Sequence, residues 1–252
     1  MWDPAVYLRH ADARARPFYD LLAQIGADAP RRVVDLGCGP GNLTATLAQR
    51  WPRAQIEGFD ADPAMVEAAQ RQGVAARQLD ARQWRPEADT DVTISNAVLQ
   101  WVPEHLALLT GWLAALPDGA WFAFQVPGNF DAPSHRLLHE LIDTPAWRER
   151  LGNSGVLRQP VPDAAGYAAH LLAAGYTVDA WETTYVHLLA GPDPVLDWLS
   201  GTALRPIRAA LDDAAWARFT AQLAPRLRDA YPAQGTVTPL PFRRVFVVAR
   251  KG

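Results

Sequence analysis

The chain has 252 residues, 49% of them hydrophobic, and a formal net charge of −3, which fits one α/β domain with an insertion or two small domains. No apolar run approaches the ~18 residues of a membrane span, and the slightly acidic balance argues against a nucleic-acid partner, which normally needs a basic face. The opening Met1-Trp2-Asp3-Pro4-Ala5-Val6-Tyr7 has an early acid and lacks the apolar core of a signal peptide, and the one cysteine, Cys38, cannot close an internal disulfide, so a cytoplasmic protein is expected.

Residues 2–28 read as a helical leader, with Leu8, Phe18, Leu21, Leu22 and Ile25 as a partial apolar stripe. Tyr7, Arg9, His10, Arg14 and Arg16 gather polar chemistry there; the segment reads equally as a cover over a ligand or as a solvated basic helix. Next, Val33 and Val34 lead into Asp35, three glycines follow at alternate positions (Gly37, Gly39, Gly41), and a helix is expected over 43–50. This is a strand (32–36) entering a tight loop and leaving into a helix, where a ligand can press against bare backbone. The dinucleotide fingerprint needs its third glycine where Asn42 stands, and the phosphate-binding loop needs a lysine, which first occurs at Lys251. What remains, Asp-x-Gly-x-Gly-x-Gly, resembles motif I of the class I S-adenosylmethionine (SAM) dependent methyltransferases. SAM has no phosphate; it offers a zwitterionic amino-acid end, a ribose and an adenine. Glycines admit the methionine moiety, and Asp35 is expected to help bind its ammonium group, often through water.

A strand over 55–59 ends at Asp60, followed by Ala61, 25 positions after Asp35. An acid at that strand end is placed to accept from ribose hydroxyls. Asp62 reads as an N-cap and Pro63 as the first turn of a helix over 64–72. Met65 in that turn reads equally as an adenine contact or as core. A strand over 75–79 ends at Asp80, which suits the adenine amino group while Ala81 N–H donates to the ring and Trp84 covers the base. A strand over 91–95 leads to Asn96, Gln100 and Trp101, polar and aromatic residues expected on the ligand side of the sheet, with core an equal reading for Trp101. A helix over 104–116 stops at Pro117-Asp118-Gly119, and a strand over 120–126 carries Gln125. Residues 133–151 read as helical, with Leu137, Leu138, Leu141 and Ile142 in a stripe, and a helix over 163–174 stops at Gly175. A bent or split strand over 176–189 and a final strand over 243–249 flank a helical insertion, 190–240, that would cap the substrate and contains a helix over 213–231. The strand–helix alternation gives a mostly parallel sheet.

Several stretches then carry a more specific resemblance: Asp35 to Asn42, Asp60 with Pro63-Ala64-Met65, and Leu99-Gln100-Trp101. Thr183-Thr184-Tyr185 with His187, Asp197-Trp198, Leu204-Arg205-Pro206 and Phe246-Val247-Val248-Ala249-Arg250 extend it into the substrate-side half. Close to end to end, the chain resembles the trans-aconitate 2-methyltransferase family. The resemblance departs at Arg243, where the family pattern has proline, leaving Arg244 as the matching arginine. It implies a Rossmann-like class I methyltransferase fold, a seven-stranded, mostly parallel sheet of order 3-2-1-4-5-7-6 with the last strand antiparallel. It also implies SAM as methyl donor and monomethylation of one carboxylate of trans-aconitate.

The expected cofactor set is Arg16, Asp35, Gly37, Gly39, Gly41, Asn42, Asp60, Ala61, Met65, Asp80, Ala81, Asn96 and Trp101. For a small tricarboxylate substrate the expected set is Arg9, Gln100, Gln125, Tyr185, His187, Trp198, Arg205 and Arg244. Arginines suit carboxylates because their fork donates two parallel hydrogen bonds. A carboxylic acid of pKa about 4 is already ionised at pH 7, so no general base is expected. Catalysis rests on orientation and desolvation, with a carboxylate oxygen about 3 Å from the methyl carbon. One cysteine and scattered histidines give no metal-ligand spacing. Three other readings stand beside this one. The same fold could methylate another small acid or a hydroxyl or amine, with His135 or His187 as base. It could bind SAM without catalysis. A nicotinamide oxidoreductase is disfavoured by Asn42.

Overall fold

The computed structural model describes residues 11–156, 158 and 160–252. Seven strands form one sheet: β1 (Arg32–Leu36), β2 (Gln55–Asp60), β3 (Ala75–Gln78), β4 (Thr90–Asn96), β5 (Trp121–Pro127), β6 (Thr177–Leu189) and β7 (Thr238–Arg250). The order is β3-β2-β1-β4-β5-β7-β6. The pairs among β1 to β5 are parallel, and β7 runs antiparallel to β5, with Gln125 opposite Phe246 and Pro127 opposite Arg244. This is the expected topology. The strand order reverses between β1 and β4, so the C-terminal ends of these strands form the crevice where such sheets take ligands.

The chain divides into two compact units. One contains the chain up to Pro127 together with Val161–Thr183 and Arg244–Gly252; the other contains Gly128–Pro160 and Thr184–Arg243. The helices of the first unit are α1 (Ala11–Leu22), the short α2 (Leu47–Arg50), α3 (Pro63–Arg71) and α4 (His105–Ala115), with α7 (Ala164–Ala173) following later in the chain. Its core is built from Val34, Leu36, Phe122 and Phe124 of the strands and from Trp112 and Tyr167 of the helices, with Trp112 stacked on Phe122 at 5.7 Å. Buried His105 holds α4 to α7: its Nε2 meets the Tyr167 hydroxyl at 2.8 Å and its Nδ1 the Val102 carbonyl at 2.7 Å. The second unit is helical apart from its strand segments: α5 (Pro133–Ile142), α6 (Pro145–Leu151), α8 (Pro194–Ser200), α9 (Arg205–Ala210) and α10 (Asp213–Ala230). Trp147 sits edge-on to Phe219 at 5.2 Å and donates to Gln222 Oε1 at 3.0 Å, joining α6 to α10. Among the described residues no helix is long and apolar enough to cross a membrane.

Four expectations are corrected. The segment 43–50 is a 3₁₀ turn, Thr44–Thr46, followed by a single α-turn. The helix expected over 133–151 is two helices, because Pro145 forces Thr144 into an extended conformation (ψ 152°). The strand expected to bend or split within 176–189 is not split: Thr177–Leu189 is one continuous run whose residues alternate buried and exposed from Tyr185 to Leu189. The last strand, expected over 243–249, begins at Thr238; Pro239 and Pro241 lie outside the β5 ladder, which starts at Arg244, so their missing N–H groups cost nothing on that side. In the leader, the helix spans Ala11–Leu22, and Tyr7, Arg9 and His10 fall outside the described residues.

Candidate active site

At the N-terminal ends of the strands, acids are matched by arginines: Asp91 by Arg31 at 2.7 Å, Glu57 by Arg32 at 2.5 Å and Asp89 by Arg32 at 2.7 Å. At the C-terminal ends of β1 and β2 the pattern changes. Asp35 is 3% exposed, and among the described residues no cation pairs with it. The Thr44 hydroxyl donates to its Oδ2 at 2.5 Å, while Oδ1 is buried without a partner. Burial pushes the Asp35 carboxyl up to about 7; the Thr44 hydrogen bond opposes the rise and the nearby Asp60 adds to it. Asp60 Oδ2 accepts from Gly39 N at 2.9 Å and Oδ1 from Asp62 N at 2.9 Å, and burial raises its carboxyl as well. Ala61, beside it, is exposed. Asp62 caps α3 through Ala64 N at 2.9 Å, as expected, and Met65 in the first turn is buried.

The three loop glycines have different duties. A Cβ on Gly37 would lie 2.1 Å from Val98 Cγ2, and one on Gly41 would lie 2.7 Å from Ala69 Cβ, so those two close the loop against the protein. Gly39 has φ +55°, and its missing side chain would point into open space. Half-buried Asn42 follows. The Val98 loop enters through Ala97, whose φ of 59° is left-handed, a conformation costly for a residue with a Cβ. Ala97 N donates to the Gln125 carbonyl at 2.9 Å, and Gln100 Nε2 donates to the Ala97 carbonyl at 2.6 Å, leaving Gln100 Oε1 buried without a partner. Trp101, half-buried, ends the 3₁₀ turn Leu99–Trp101.

A row of polar side chains crosses β4, β5 and β7 at this edge. Fully buried Gln125 donates through Nε2 to Asn96 Oδ1 at 2.6 Å and accepts from Arg244 Nη1 at 3.0 Å. Arg244 is 5% exposed. Gln125 therefore sits behind the edge, between Asn96 and Arg244.

Other expected residues have local duties. Asp80 accepts from Arg82 N at 2.9 Å, capping the turn Ala81–Gln83, and pairs with the Arg82 guanidinium at 3.1 Å, which also reaches Glu104. Ala81 is buried. Trp84, expected to cover a base, is a core residue: it is 2% exposed and packs edge-on against Trp112 at 5.6 Å. Arg16 is exposed on α1, 3.7 Å from Asp20 one turn on. In the second unit, Tyr185 and His187 are buried on β6, His187 stacks on Trp198 at 4.5 Å, and Phe242 flanks both. Arg205, half-buried, opens α9, and its N–H donates to the Thr202 carbonyl at 3.1 Å. Arg9 lies outside the described residues.

Sequence reasoning passed over Thr44 and Ala97. A hydroxyl residue one turn into the helix after a glycine loop was the available signal for Thr44; a positive φ at an alanine leaves none.

A family model described as a methyltransferase domain matches residues 7–180. A protein of Mycolicibacterium gilvum named trans-aconitate 2-methyltransferase is 57% identical over 252 residues, covering 99% of both chains. The chain belongs to the trans-aconitate 2-methyltransferase family. A member of the same name from Streptomyces coelicolor is 56% identical over 265 residues, covering 99% of this chain and 86% of that protein. The fold extends beyond the trans-aconitate 2-methyltransferase family: the crystal structure of a putative methyltransferase from Bacillus halodurans, 13% identical, superposes with a TM-score of 0.60 over 94% of this chain and 99% of that one.

Proposed function

We propose that this protein transfers a methyl group from SAM to one carboxylate of trans-aconitate, giving the monomethyl ester and S-adenosylhomocysteine. The observation that carries the reading is that the 57% identity runs the full length of the chain. The match therefore spans the acceptor-side half of the chain as well as the part that holds the glycine loop.

The residues present fit SAM. The buried, unpartnered Oδ1 of Asp35 suits an ammonium group, and Gly39 presents bare backbone to open space. Each Asp60 oxygen already accepts one N–H and retains a further lone-pair direction for a ribose hydroxyl. Asp80 and Ala81 N–H would face the adenine, with Met65, Asn96 and Trp101 around the cofactor. When bound, SAM supplies an electrophilic methyl group on a positively charged sulfur. The chain's own work is to hold the acid and exclude water. In this reading Arg244 presents a guanidinium at the ligand edge, where it donates to the Gln125 amide oxygen. Arg205 is the second carboxylate holder in this reading; Tyr185, His187 and Trp198 shape the acceptor side. The substrate's carboxylate is ionised at neutral pH, so no side chain has to remove a proton from it. Orientation and exclusion of water then carry the rate. The same reading makes it a cytoplasmic enzyme acting on a small tricarboxylate; the single buried cysteine and the net charge of −3 agree with that.

The test is incubation with methyl-labelled SAM and, in parallel, trans-aconitate, cis-aconitate, isocitrate and citrate. Labelled monomethyl ester formed preferentially from trans-aconitate is the expected result. SAM binding with no labelled ester from any of the four acids would overturn the reading.

A further inference from the structure

We infer that Thr44 is a positioning residue for the cofactor: its hydroxyl ties down one oxygen of the Asp35 carboxylate and leaves the other, buried and unpartnered, as the acceptor for the ammonium group of SAM. The inference rests on the reading of SAM as the cofactor and says how that site is prepared.

The geometry is specific. Thr44 is fully buried, and its Oγ1 donates to Asp35 Oδ2 at 2.5 Å, a short hydrogen bond. No other described side chain bonds either Asp35 oxygen, and Oδ1 is left alone. The groups facing the pair are Asp60 at the end of β2 and the Cys38 thiol of the glycine loop, which burial keeps protonated; neither supplies a positive charge. An acid so placed favours its neutral form until a cation arrives, and the carboxyl is accordingly raised to about 7. An ammonium group at Oδ1 favours the ionised form, so binding of SAM expels the Asp35 proton wherever the free protein holds one. Cofactor affinity thus falls on acidification below about pH 7, although the methyl transfer itself consumes no proton. Thr44 opposes the rise, and removing its hydroxyl shifts the whole dependence toward higher pH.

The experiment measures the SAM dissociation constant by calorimetry between pH 5.5 and 9 for the wild type, Thr44→Val and Thr44→Ser, together with the proton count from buffers of different ionisation enthalpy. For the wild type, the constant is expected to rise toward tenfold per pH unit below the break, with proton release on binding, and to rise again above about pH 8, where the amino group of free SAM loses its own proton. Thr44→Val moves the break upward, while Thr44→Ser keeps it near the wild-type position. Weakening by the same factor at every pH in Thr44→Val, or a wild-type constant that is flat across the range, overturns the inference. Failure of the SAM reading itself shows differently, as no SAM binding by the wild type at any pH.

Discussion

Replacing Asp35 by asparagine should stabilise the ligand-free protein at alkaline pH while destroying its cofactor site. The carboxyl is raised from 3.8 to about 7 in the fold. The folded protein therefore keeps a proton that the unfolded chain releases between those values. With more protons bound folded than unfolded, stability falls as pH rises through that window and is level above it. Three pKa units at ~1.4 kcal/mol each set the loss from this one group at about 4 kcal/mol by pH 8. Asparagine has nearly the same shape, can accept from Thr44, and carries no charge to bury, so it escapes this term. It still buries one polar group at the Oδ1 position without a partner, but that cost is shared with protonated aspartate and does not vary with pH. Urea unfolding of both proteins without SAM, at pH 4.5, 6 and 8, measures the difference. The advantage of Asp35→Asn should grow by about 3 kcal/mol from the most acid to the most alkaline point, because about 1 kcal/mol is already lost at pH 4.5; that is roughly 9 °C in melting temperature for a chain of this size. SAM affinity should fall at least ~100-fold, as expected for losing a charge-assisted partner. Stability curves that stay parallel across the pH range would refute the claim that Asp35 is held as a buried, unneutralised acid.

The remaining expectations concern the acceptor row and the loop. Arg244→Lys keeps the charge but loses the planar fork; the KM for trans-aconitate should rise about tenfold with SAM affinity unchanged, and an unaltered KM would remove Arg244 from the acceptor site. Gln125→Glu places a carboxylate against Arg244 Nη1 and adds a negative charge at the proposed acceptor site; KM should again rise about tenfold, and the double variant with Arg244→Lys should show non-additive effects, since the two side chains are in direct contact. In the loop, Gly37→Ala should cost about 2–3 kcal/mol of folding stability, because its Cβ would collide with Val98 in a left-handed backbone. Gly39→Ala, facing open space, should cost only about 1 kcal/mol and act chiefly on SAM affinity. Equal melting temperatures for the two variants would contradict that division.

The strands, glycine loop and helix start of the first unit were legible because their signals are local. Strands of about the expected length place acids at or near their C-terminal ends, at Asp35, Asp60 and Asp80, and Asp62-Pro63 announces a helix start that the structure reproduces. What failed there was direction. Trp84 follows a strand end closely enough to suggest a ligand contact, yet the turn Ala81–Gln83 points it into the core beside Trp112. Asp80 closes the same turn, a duty that sequence distance cannot separate from ligand binding. On the acceptor side the information is non-local. Gln125 and Arg244 are 119 positions apart, and nothing near either in sequence announces the other. The stacking of His187 on Trp198 likewise joins a strand to a helix beyond it. The resemblance to a family supplied those residues as a set; periodicity and spacing alone would have returned them as scattered polar and aromatic positions.

The antiparallel last strand gives the placement of Arg244 a topological reason. In the parallel part of the sheet every C-terminal end reaches the same edge, which is how Asp35, Asp60 and Asn96 come to share it. Those ends already hold acids and amides suited to an ammonium group and hydroxyls. The acid acceptor of the proposed function needs positive charge beside that edge. β7 meets the need because it runs the other way. Its first residue in the β5 ladder, Arg244, lies opposite Pro127, at the edge, while its last, Arg250, lies opposite Trp121 at the far end of the strand. The guanidinium is thus carried by a strand with ladder hydrogen bonds and oriented by Gln125 from the neighbouring strand. A site built on strands holds its side chains to tighter geometry than one built on loops. In the proposed reaction the rate depends on orientation and not on proton transfer, and that rigidity is then the contribution the protein makes.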